Sequence, residues 1–320
     1  MSSEEVLIHV RFSPDGAVTD IGERPAGAPS MQLLNVIHSG LVNGRVIPYL
    51  GPGALNLADA PAPLPVTGSA LVSKLTAKAS VPHKIRNNLT AAAQFIENFK
   101  HRKSVVASMK EAFSPPMVPT VLHRYLAGLP SLPLWVHAWY DNLPQQALNE
   151  QRRGWGTVQG VSQSEHSGQW VHFFDADGSR RADLDASSLT GVWPTLLYQP
   201  LGSVSPAANF LVSDSDFVEV LTEIDIQTPI PKIVQHLRSG RAFLFLGCRF
   251  NTQLERIFAQ QIIKRSAERH YAVLPEAPTK NESRFLELHR IQRIDAPLTE
   301  CVAALITLQQ SGAARRLAAN

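Results

Sequence analysis

The feature that most constrains this chain is a hydrophobic run that ends in two closely spaced glycines. Residues 45–50 read as a buried strand, and Gly51 and Gly53 follow it directly, on either side of Pro52. Glycines at the carboxyl end of a strand let the backbone approach a pyrophosphate, and a following helix points its free N–H groups at that charge. Turns with two glycines also form for structural reasons alone. The segment therefore predicts a strand and a turn, with either a nucleotide or a packing contact at the glycines.

Segments with helical and strand-like spacing alternate on both sides of this unit. Apolar residues recur at helical intervals from Met31, and a Pro-rich loop leads into a helix that starts at Thr67. Further helices are predicted over residues 91–99 and 104–113 and after Ser213, and further strands over residues 134–139, 196–198 and 242–246. Strands separated by helices pair in parallel and are covered on both faces. We therefore predict an α/β fold with a Rossmann-like, doubly wound parallel sheet.

Two stretches differ from this alternating pattern. Residues 6–12 and 17–21 are predicted to form an N-terminal β-hairpin, which a linker joins to the main domain near residue 31. Residues 152–191, rich in Gly, Ser, Asp and aromatic side chains, are predicted to form a β-rich insertion with a tight turn at residues 175–178. The expected organisation is a hairpin and linker (1–30), a main domain (31–312) and a C-terminal tail (313–320).

Composition and charge exclude several classes of protein. With 44% hydrophobic and 18% charged residues over 320 positions, the chain can bury a large core and is expected to be globular. No apolar run approaches the roughly 20 residues of a membrane span, and the start is acidic, so we expect a cytoplasmic protein without membrane contact. The formal charge of +3 is small and the basic residues are scattered, which argues against nucleic acid as a partner. Cys248 and Cys301 are too few for a four-cysteine zinc site.

The order of these segments resembles that of the SIR2-like domains, bacterial relatives of the sirtuins, over about residues 34–310. The segments that carry the resemblance are 46–55, 135–148, 198–220 and 244–256. In this family NAD⁺ lies across the carboxyl ends of the strands. The resemblance therefore implies a cleft for NAD or ADP-ribose. The residues implied to bind it are Gly51, Gly53, Ala54, Asn56, Gly202, Gly247, Cys248 and Arg249. Zinc-dependent protein deacylation is not expected, because the family's four-cysteine zinc module cannot form.

Two departures from the family determine the expected activity. Trp139 stands where the family has an asparagine that orients the nucleophile, and Leu201 stands where it has a histidine that removes a proton from the ribose. Leucine cannot accept a proton, and the indole of tryptophan offers only a donor on a bulky ring. The resemblance therefore implies a catalytically impaired protein that senses a nucleotide or binds a partner protein.

Two alternatives remain open at this point. One is an active NAD⁺ hydrolase of the kind found in bacterial defence systems, with a substitute base such as His137. The other is a purely structural protein in which apolar side chains fill the cleft. A protein partner or a homo-oligomer is expected by analogy with the family.

Other polar residues near these segments have simpler interpretations. Arg249 either grips a phosphate or lies on the surface, and Asn56 is either a hydrogen-bond partner of a ligand or an N-cap. Cys248 is expected to be a buried, unreactive thiol, and Asp141 is expected to cap the helix that follows it. The histidines of the β-rich insertion are expected to be solvated; these are His166 and His172.

Overall fold

The computed structural model describes residues 8–12, 18–23, 30–166, 168–188, 193–226 and 230–318. Its strands run over Ile8–Phe12 (β1), Val18–Glu23 (β2), Val46–Leu50 (β3), Leu134–His137 (β4), Trp155–Gly160 (β5), Val171–Asp175 (β6), Thr195–Gln199 (β7), Gly202–Ser203 (β8), Asn209–Phe210 (β9), Ala242–Leu246 (β10), His270–Val273 (β11) and Ile291–Ile294 (β12). Its helices run over Met31–Val42 (α1), Gly68–Thr76 (α2), Leu89–Lys100 (α3), Arg102–Ala112 (α4), Val121–Ala127 (α5), Leu143–Gln151 (α6), Asp214–Ile226 (α7), Lys232–Arg238 (α8), Gln253–Ile263 (α9), Lys280–Leu288 (α10) and Leu298–Ala318 (α11). Short 3₁₀ helices lie at Pro52–Leu57 and His83–Ile85.

Eight of the described strands form one sheet, in the order β12-β11-β10-β3-β4-β7-β5-β6. Every neighbouring pair in it is parallel except β5 and β6. The chain passes from β3 to β4 on one side, and β10 later returns to the other side of β3. The strand order therefore reverses between β3 and β10, and in such folds ligands bind in the crevice at the carboxyl ends of these strands. The predicted α/β fold with a Rossmann-like parallel sheet is confirmed.

Helices cover the central strands on both faces. Every residue of β3, β4 and β7 is buried, as expected for parallel strands in a layered fold. On one face Leu50, Trp135 and Leu197 pack with α1, α5, α6 and α11. On the other face the alternate side chains of the same strands pack with α8, α9 and α10. A third hydrophobic cluster joins α2, α3 and α4, here called the helical module, to the loops at the carboxyl ends of β4 and β7.

The predicted β-rich insertion contributes its strands to the edge of the central sheet. β5 lies in parallel beside β7, and β6 pairs with β5 in antiparallel orientation. The predicted tight turn is present, because the N–H of Gly178 donates to the Asp175 carbonyl oxygen over 2.9 Å. The N-terminal hairpin is confirmed as well, since β1 and β2 pair antiparallel. The residues that connect these two strands lie outside the described part of the chain.

Several element boundaries differ from the sequence predictions. The strand predicted over residues 134–139 ends at His137, so Trp139 lies in the loop after it. Helix α11 continues past residue 312 to Ala318, where the sequence predicts a tail. Strands β11 and β12 escape sequence prediction because each has only four residues, and β12 carries polar residues between its buried ends. None of the described helices, α11 included, is long and apolar enough to span a membrane.

A cluster of charged side chains joins the helical module to the sheet. Arg102, at the start of α4, places Nη1 2.8 Å from Oδ2 of the buried Asp216, in the first turn of α7. The same nitrogen lies 3.3 Å from Glu97 on α3. The Asp216 carboxylate also accepts hydrogen bonds from Ser162 Oγ at 2.6 Å and from the Val212 N–H at 2.9 Å. One buried ion pair therefore connects α3, α4, α7 and the loop after β5.

Replacing Arg102 with methionine is expected to lower the free energy of unfolding by about 3–5 kcal/mol, because the buried Asp216 carboxylate loses its cation. Lys78→Met is the matched control, since Lys78 forms an exposed pair with Glu111 on the same module. Its cost is expected to stay below about 1 kcal/mol. Chemical denaturation of both variants measures the difference. Equal costs would show that the buried pair contributes no more than a surface pair.

Candidate functional site

The two glycine turns lie against each other at the point where the strand order reverses. Gly51 follows β3 and Gly247 follows β10, and these strands are neighbours in the sheet. The N–H of Gly51 donates to the Leu246 carbonyl oxygen and the N–H of Gly53 donates to the Gly247 carbonyl oxygen, each over 2.9 Å. A Cβ added at Gly53 would lie 2.9 Å from the Gly247 oxygen, and one added at Gly247 would lie 2.2 Å from the Ala54 nitrogen. The missing side chains therefore serve a contact between the turns, and a nucleotide is not needed to explain these glycines.

The first turn continues as the 3₁₀ helix Pro52–Leu57. Ala54 is buried inside it, whereas the Asn56 side chain is exposed. Asn56 lies within this helix and Gly51 occupies its N-cap position, so the interpretation of Asn56 as an N-cap is wrong. The turn therefore contributes apolar packing rather than a cap.

Trp139 and Leu201 lie in the same hydrophobic cluster. Trp139 is only 5% exposed, and its indole N–H donates to the Pro65 carbonyl oxygen over 2.9 Å. Its ring contacts those of Phe113 and Tyr140, with centroids 6.1 and 5.1 Å away. Leu201 is half-buried and packs against the same cluster. Trp139 thus belongs to the core of this cluster, and Leu201 packs against it.

Gly202, next to Leu201, has a structural requirement of its own. Its φ is +79°, and a Cβ at this position would lie 2.1 Å from the Asn209 carbonyl oxygen. The residue pairs with Phe210 in the short antiparallel ladder of β8 and β9. Its lack of a side chain is explained by this ladder.

Arg249, in the second glycine turn, directs its donors at carboxylates. Its Nε and Nη2 donate to the two oxygens of Glu282, each over 3.0 Å, and its Nη1 donates to Glu276. The Glu282 side chain is fully buried and also accepts hydrogen bonds from the N–H groups of Phe250 and Thr279. Burial alone would raise the pKa of Glu282, but these partners outweigh it and lower the pKa to about 2. The arginine is therefore neither free for a phosphate nor unpaired on the surface.

Cys248 is held as an unreactive thiol. It is 8% exposed, and its Sγ lies 3.6 Å from the Tyr49 carbonyl oxygen and 3.5 Å from that of Leu246. Burial, reinforced by the negative charge of Glu255, raises the pKa of this thiol well above its ordinary value. The thiolate form that a nucleophile requires is thereby disfavoured, as predicted from the sequence.

A buried histidine–aspartate pair lies at the carboxyl end of β4. His137 Nε2 is 3.1 Å from Asp141 Oδ2, and the side chains are 1% and 0% exposed. Asp141 Oδ1 accepts the N–H of Leu143, the first residue of α6, over 3.0 Å, which confirms the predicted capping role. Burial would raise the pKa of Asp141, but the charge and hydrogen bond of His137 outweigh it and lower the pKa. The aspartate is therefore ionised and orients the imidazole.

Sequence reasoning missed a second buried histidine beside this pair. His123 on α5 is fully buried, and its Nδ1 accepts the Thr120 N–H over 3.3 Å. Burial lowers the pKa of His123 to about 4, against the attraction of Asp141. Within the described part of the chain, His123 Nε2 and His137 Nδ1 have no hydrogen-bond partner. The Thr-x-x-His spacing of a helix start was the available local signal, but it does not reveal the neighbouring aspartate.

A family model for the SIR2-like domain matches residues 133–294, just over half of the chain. The chain belongs to the SIR2-like domain family. A comparison with curated proteins finds no match. The matched range contains Trp139, Leu201 and the second glycine turn, whereas the first turn lies before it. Among the described residues of this SIR2-like protein, no group of three or more His, Cys, Asp or Glu side chains is placed to hold a metal ion.

The prediction that His172 is solvated is wrong. His172 is 5% exposed, its Nε2 lies 2.9 Å from Gln169 Oε1, and its ring is 4.6 Å from that of the half-buried His166. Burial lowers the pKa of His172 to about 4. The cause is the position of β6 within the central sheet, which the polar composition of this stretch conceals.

Gly247 and Gly240 form a matched pair that tests the contact between the turns. Their φ values are +66° and +69°, so both substitutions to alanine strain the backbone by about 1–2 kcal/mol. A Cβ at Gly240 meets no atom within 4 Å, whereas one at Gly247 clashes with the other turn. Gly247→Ala is therefore expected to destabilise the protein by about 1–3 kcal/mol more than Gly240→Ala. Chemical denaturation measures this, and similar costs would mean that the turns can separate freely.

Acidification is expected to destabilise the protein partly through His123. Its folded pKa of about 4 lies below the ordinary 6.5, so between these values the unfolded chain binds a proton that the folded chain does not. The contribution of His123 to the free energy of unfolding should therefore be fully present above about pH 6.5 and decrease towards pH 4. Urea denaturation at pH 7 and pH 5 should show a smaller decrease for His123→Gln than for the exposed control His83→Gln. Burial also lowers the pKa values of His172 and His270 to about 4. Both variants therefore keep the part of the decrease in unfolding free energy that comes from these two histidines.

Proposed function

We propose that this protein is a non-catalytic member of the SIR2-like family that acts by binding a partner protein or a second copy of itself. The observation that supports this most directly is the position of Trp139 and Leu201 in one hydrophobic cluster. These residues stand where the family pattern has its asparagine and histidine. Both side chains pack within this cluster, and neither offers an amide or an imidazole to a sugar.

The chemistry of NAD⁺ cleavage explains why this packing matters. The bond between nicotinamide and ribose breaks with positive charge on the sugar, and a base then removes a proton from a hydroxyl group. General acid or base catalysis contributes roughly 10²–10⁴ in rate. Neither Leu201 nor the Trp139 indole can accept a proton, because the indole N–H is a donor and is bound to Pro65.

Sensing of NAD or ADP-ribose by an intact cleft has less support. Arg249 would have to leave the buried Glu282 to reach a phosphate, and breaking a buried ion pair costs about 3–5 kcal/mol. The glycine turns would also have to admit the ligand beside their mutual contact. A nucleotide therefore competes with interactions that the folded chain already makes.

An NAD⁺ hydrolase is a second candidate, which the His137–Asp141 pair favours. An aspartate that fixes the tautomer of a histidine is a common way to hold a general base. The pair lies at the carboxyl end of a central strand, where substrates bind in this fold. Burial argues against this role, because His137 is 1% exposed and the buried Trp139 follows it in the loop after β4.

Incubation of the purified protein with NAD⁺ at high protein concentration distinguishes these functions. We expect no nicotinamide above the buffer control. Product that disappears in His137→Ala but persists in the exposed control His83→Ala would establish the hydrolase and refute the non-catalytic proposal. The same samples, examined by analytical ultracentrifugation, show whether the chain self-associates.

Calorimetric titration tests the sensing version with Trp139→Asn. The wild-type protein is expected to give no binding heat with NAD⁺ or ADP-ribose. Trp139→Asn is expected to cost about 3–5 kcal/mol of stability, as for loss of a buried tryptophan, without gaining any binding heat. The control Trp193→Asn removes a half-buried indole bonded to Asp175 and should cost less. Saturable heat in the folded Trp139 variant would support a retained nucleotide cleft instead.

A further inference from the structure

A row of three side chains crosses the centre of the sheet on the face covered by α9. The strand register pairs Tyr49 on β3 with Val136 on β4, and Val136 with Tyr198 on β7. Neighbouring strands are about 4.8 Å apart, so the two tyrosines stand about 10 Å apart with a short valine between them. Two long side chains beside a short one leave a notch whose floor is Val136.

Helices and loops turn this notch into a cavity. Val220 from α7 and Ile262 from α9 help to line it, and every lining residue apart from Trp170, Phe258 and Gln261 is buried. These three half-buried side chains therefore mark its mouth. The whole cavity has a volume of about 30 Å³, enough for about two water-sized groups. The cavity thus fits a small head group inside and a flat group at the aromatic mouth.

Two of the residues that line the cavity, Tyr49 and Tyr198, carry phenol hydroxyls. Tyr49 and Tyr198 are 6% and 5% exposed, and neither hydroxyl forms a hydrogen bond with another described residue. Neither hydroxyl is among the fully shielded side-chain atoms without a partner in the described chain, so both are accessible to a water-sized group. Burial raises the pKa of both phenols, so both remain protonated and able to donate. The cavity therefore offers two donors in apolar surroundings.

A buried cation close to Tyr198 favours an electron-rich oxygen at this place. Arg238 is 2% exposed and has no carboxylate partner among the described residues. Its Nη1 donates to the carbonyl oxygens of Gln261 and Ile262, and its Nε has no partner in that part of the chain. Its charge acts on the Tyr198 phenol. Because Gln261 and Ile262 line the cavity, this cation lies behind its wall and favours a bound oxygen that carries partial or full negative charge.

We propose that this notch binds an aryl carbonyl compound. The carbonyl or carboxylate oxygen accepts hydrogen bonds from Tyr49 and Tyr198, and the ring lies at the mouth against Trp170 and Phe258. No residue of the two glycine turns lines the cavity. The cavity lies near the carboxyl ends of β3, β4 and β7 but apart from the two glycine turns, and the proposal does not depend on the function proposed above.

Titration of the full-length protein with three probes, followed by NMR or calorimetry, tests the site. Acetophenone carries a neutral carbonyl, benzoate carries a charged one, and toluene has the ring alone. Acetophenone or benzoate is expected to bind saturably and more tightly than toluene. The stronger of the two oxygen-bearing probes identifies the charge of the natural ligand, and either order supports the proposal. No saturable binding, or toluene binding as tightly as both, would overturn it.

Matched variants locate the bound probe. Tyr198→Phe removes one donor and is expected to weaken binding about three- to tenfold, the range for one hydrogen bond. Tyr125→Phe removes a buried hydroxyl on the opposite face, where it pairs with His38 over 2.8 Å, and should leave affinity unchanged. Val136→Leu raises the floor of the notch and should abolish binding. Equal affinities in Tyr198→Phe and Tyr125→Phe, with Val136→Leu still binding, would refute this site.

Discussion

The contact between two glycine turns is the constraint on which the rest of the site depends. In a doubly wound sheet the loops after the two strands at the reversal point normally diverge and leave a crevice. Here Gly53 donates to Gly247, and the backbones approach so closely that a methyl group fits at neither position. The chain after β3 is thereby drawn towards β10 and continues through the buried Ala54 into the loop that holds Trp139. The contact between the turns therefore sets the path of the backbone that leads from β3 to the loop around Pro65.

Three buried carboxylates each have an ionic or hydrogen-bonded partner on the chain itself. Asp216 is paired with Arg102, Glu282 with Arg249 and Asp141 with His137, and each carboxylate also accepts a backbone N–H. A buried charge without a partner is costly, so these pairs fix the elements that carry them relative to one another. The same pairs also occupy the groups that could otherwise recognise a phosphate or activate a water molecule. These ion pairs therefore stabilise the fold, and a ligand would have to compete with them for the same side chains.

Local patterns predicted much of the fold and part of the site. The strands at β3 and β10 were recognisable because an apolar run ends in glycine, and the cap at Asp141 because it acts two residues away. The partner of Arg249 was not recognisable, because Glu282 is 33 positions away and no sequence pattern links them. His172 was assigned to solvent because its surroundings are polar in sequence, whereas pairing of β6 with β5 buries it. The row of Tyr49, Val136 and Tyr198 likewise exists only once the strand register is set.

The sequence by itself determined the alternation of helices and strands, the glycine turns and the apolar character of Trp139 and Leu201, because each is a property of a residue and its immediate neighbours. Only the tertiary structure decided what those features face. A glycine allows another group to approach the backbone closely but does not specify which group. In this protein that group is the backbone of the other glycine turn. An indole can fill a pocket or lie beside one, and Trp139 fills the core because Pro65 and Phe113 come to it from distant parts of the chain. These choices depend on packing between segments, which no local pattern encodes.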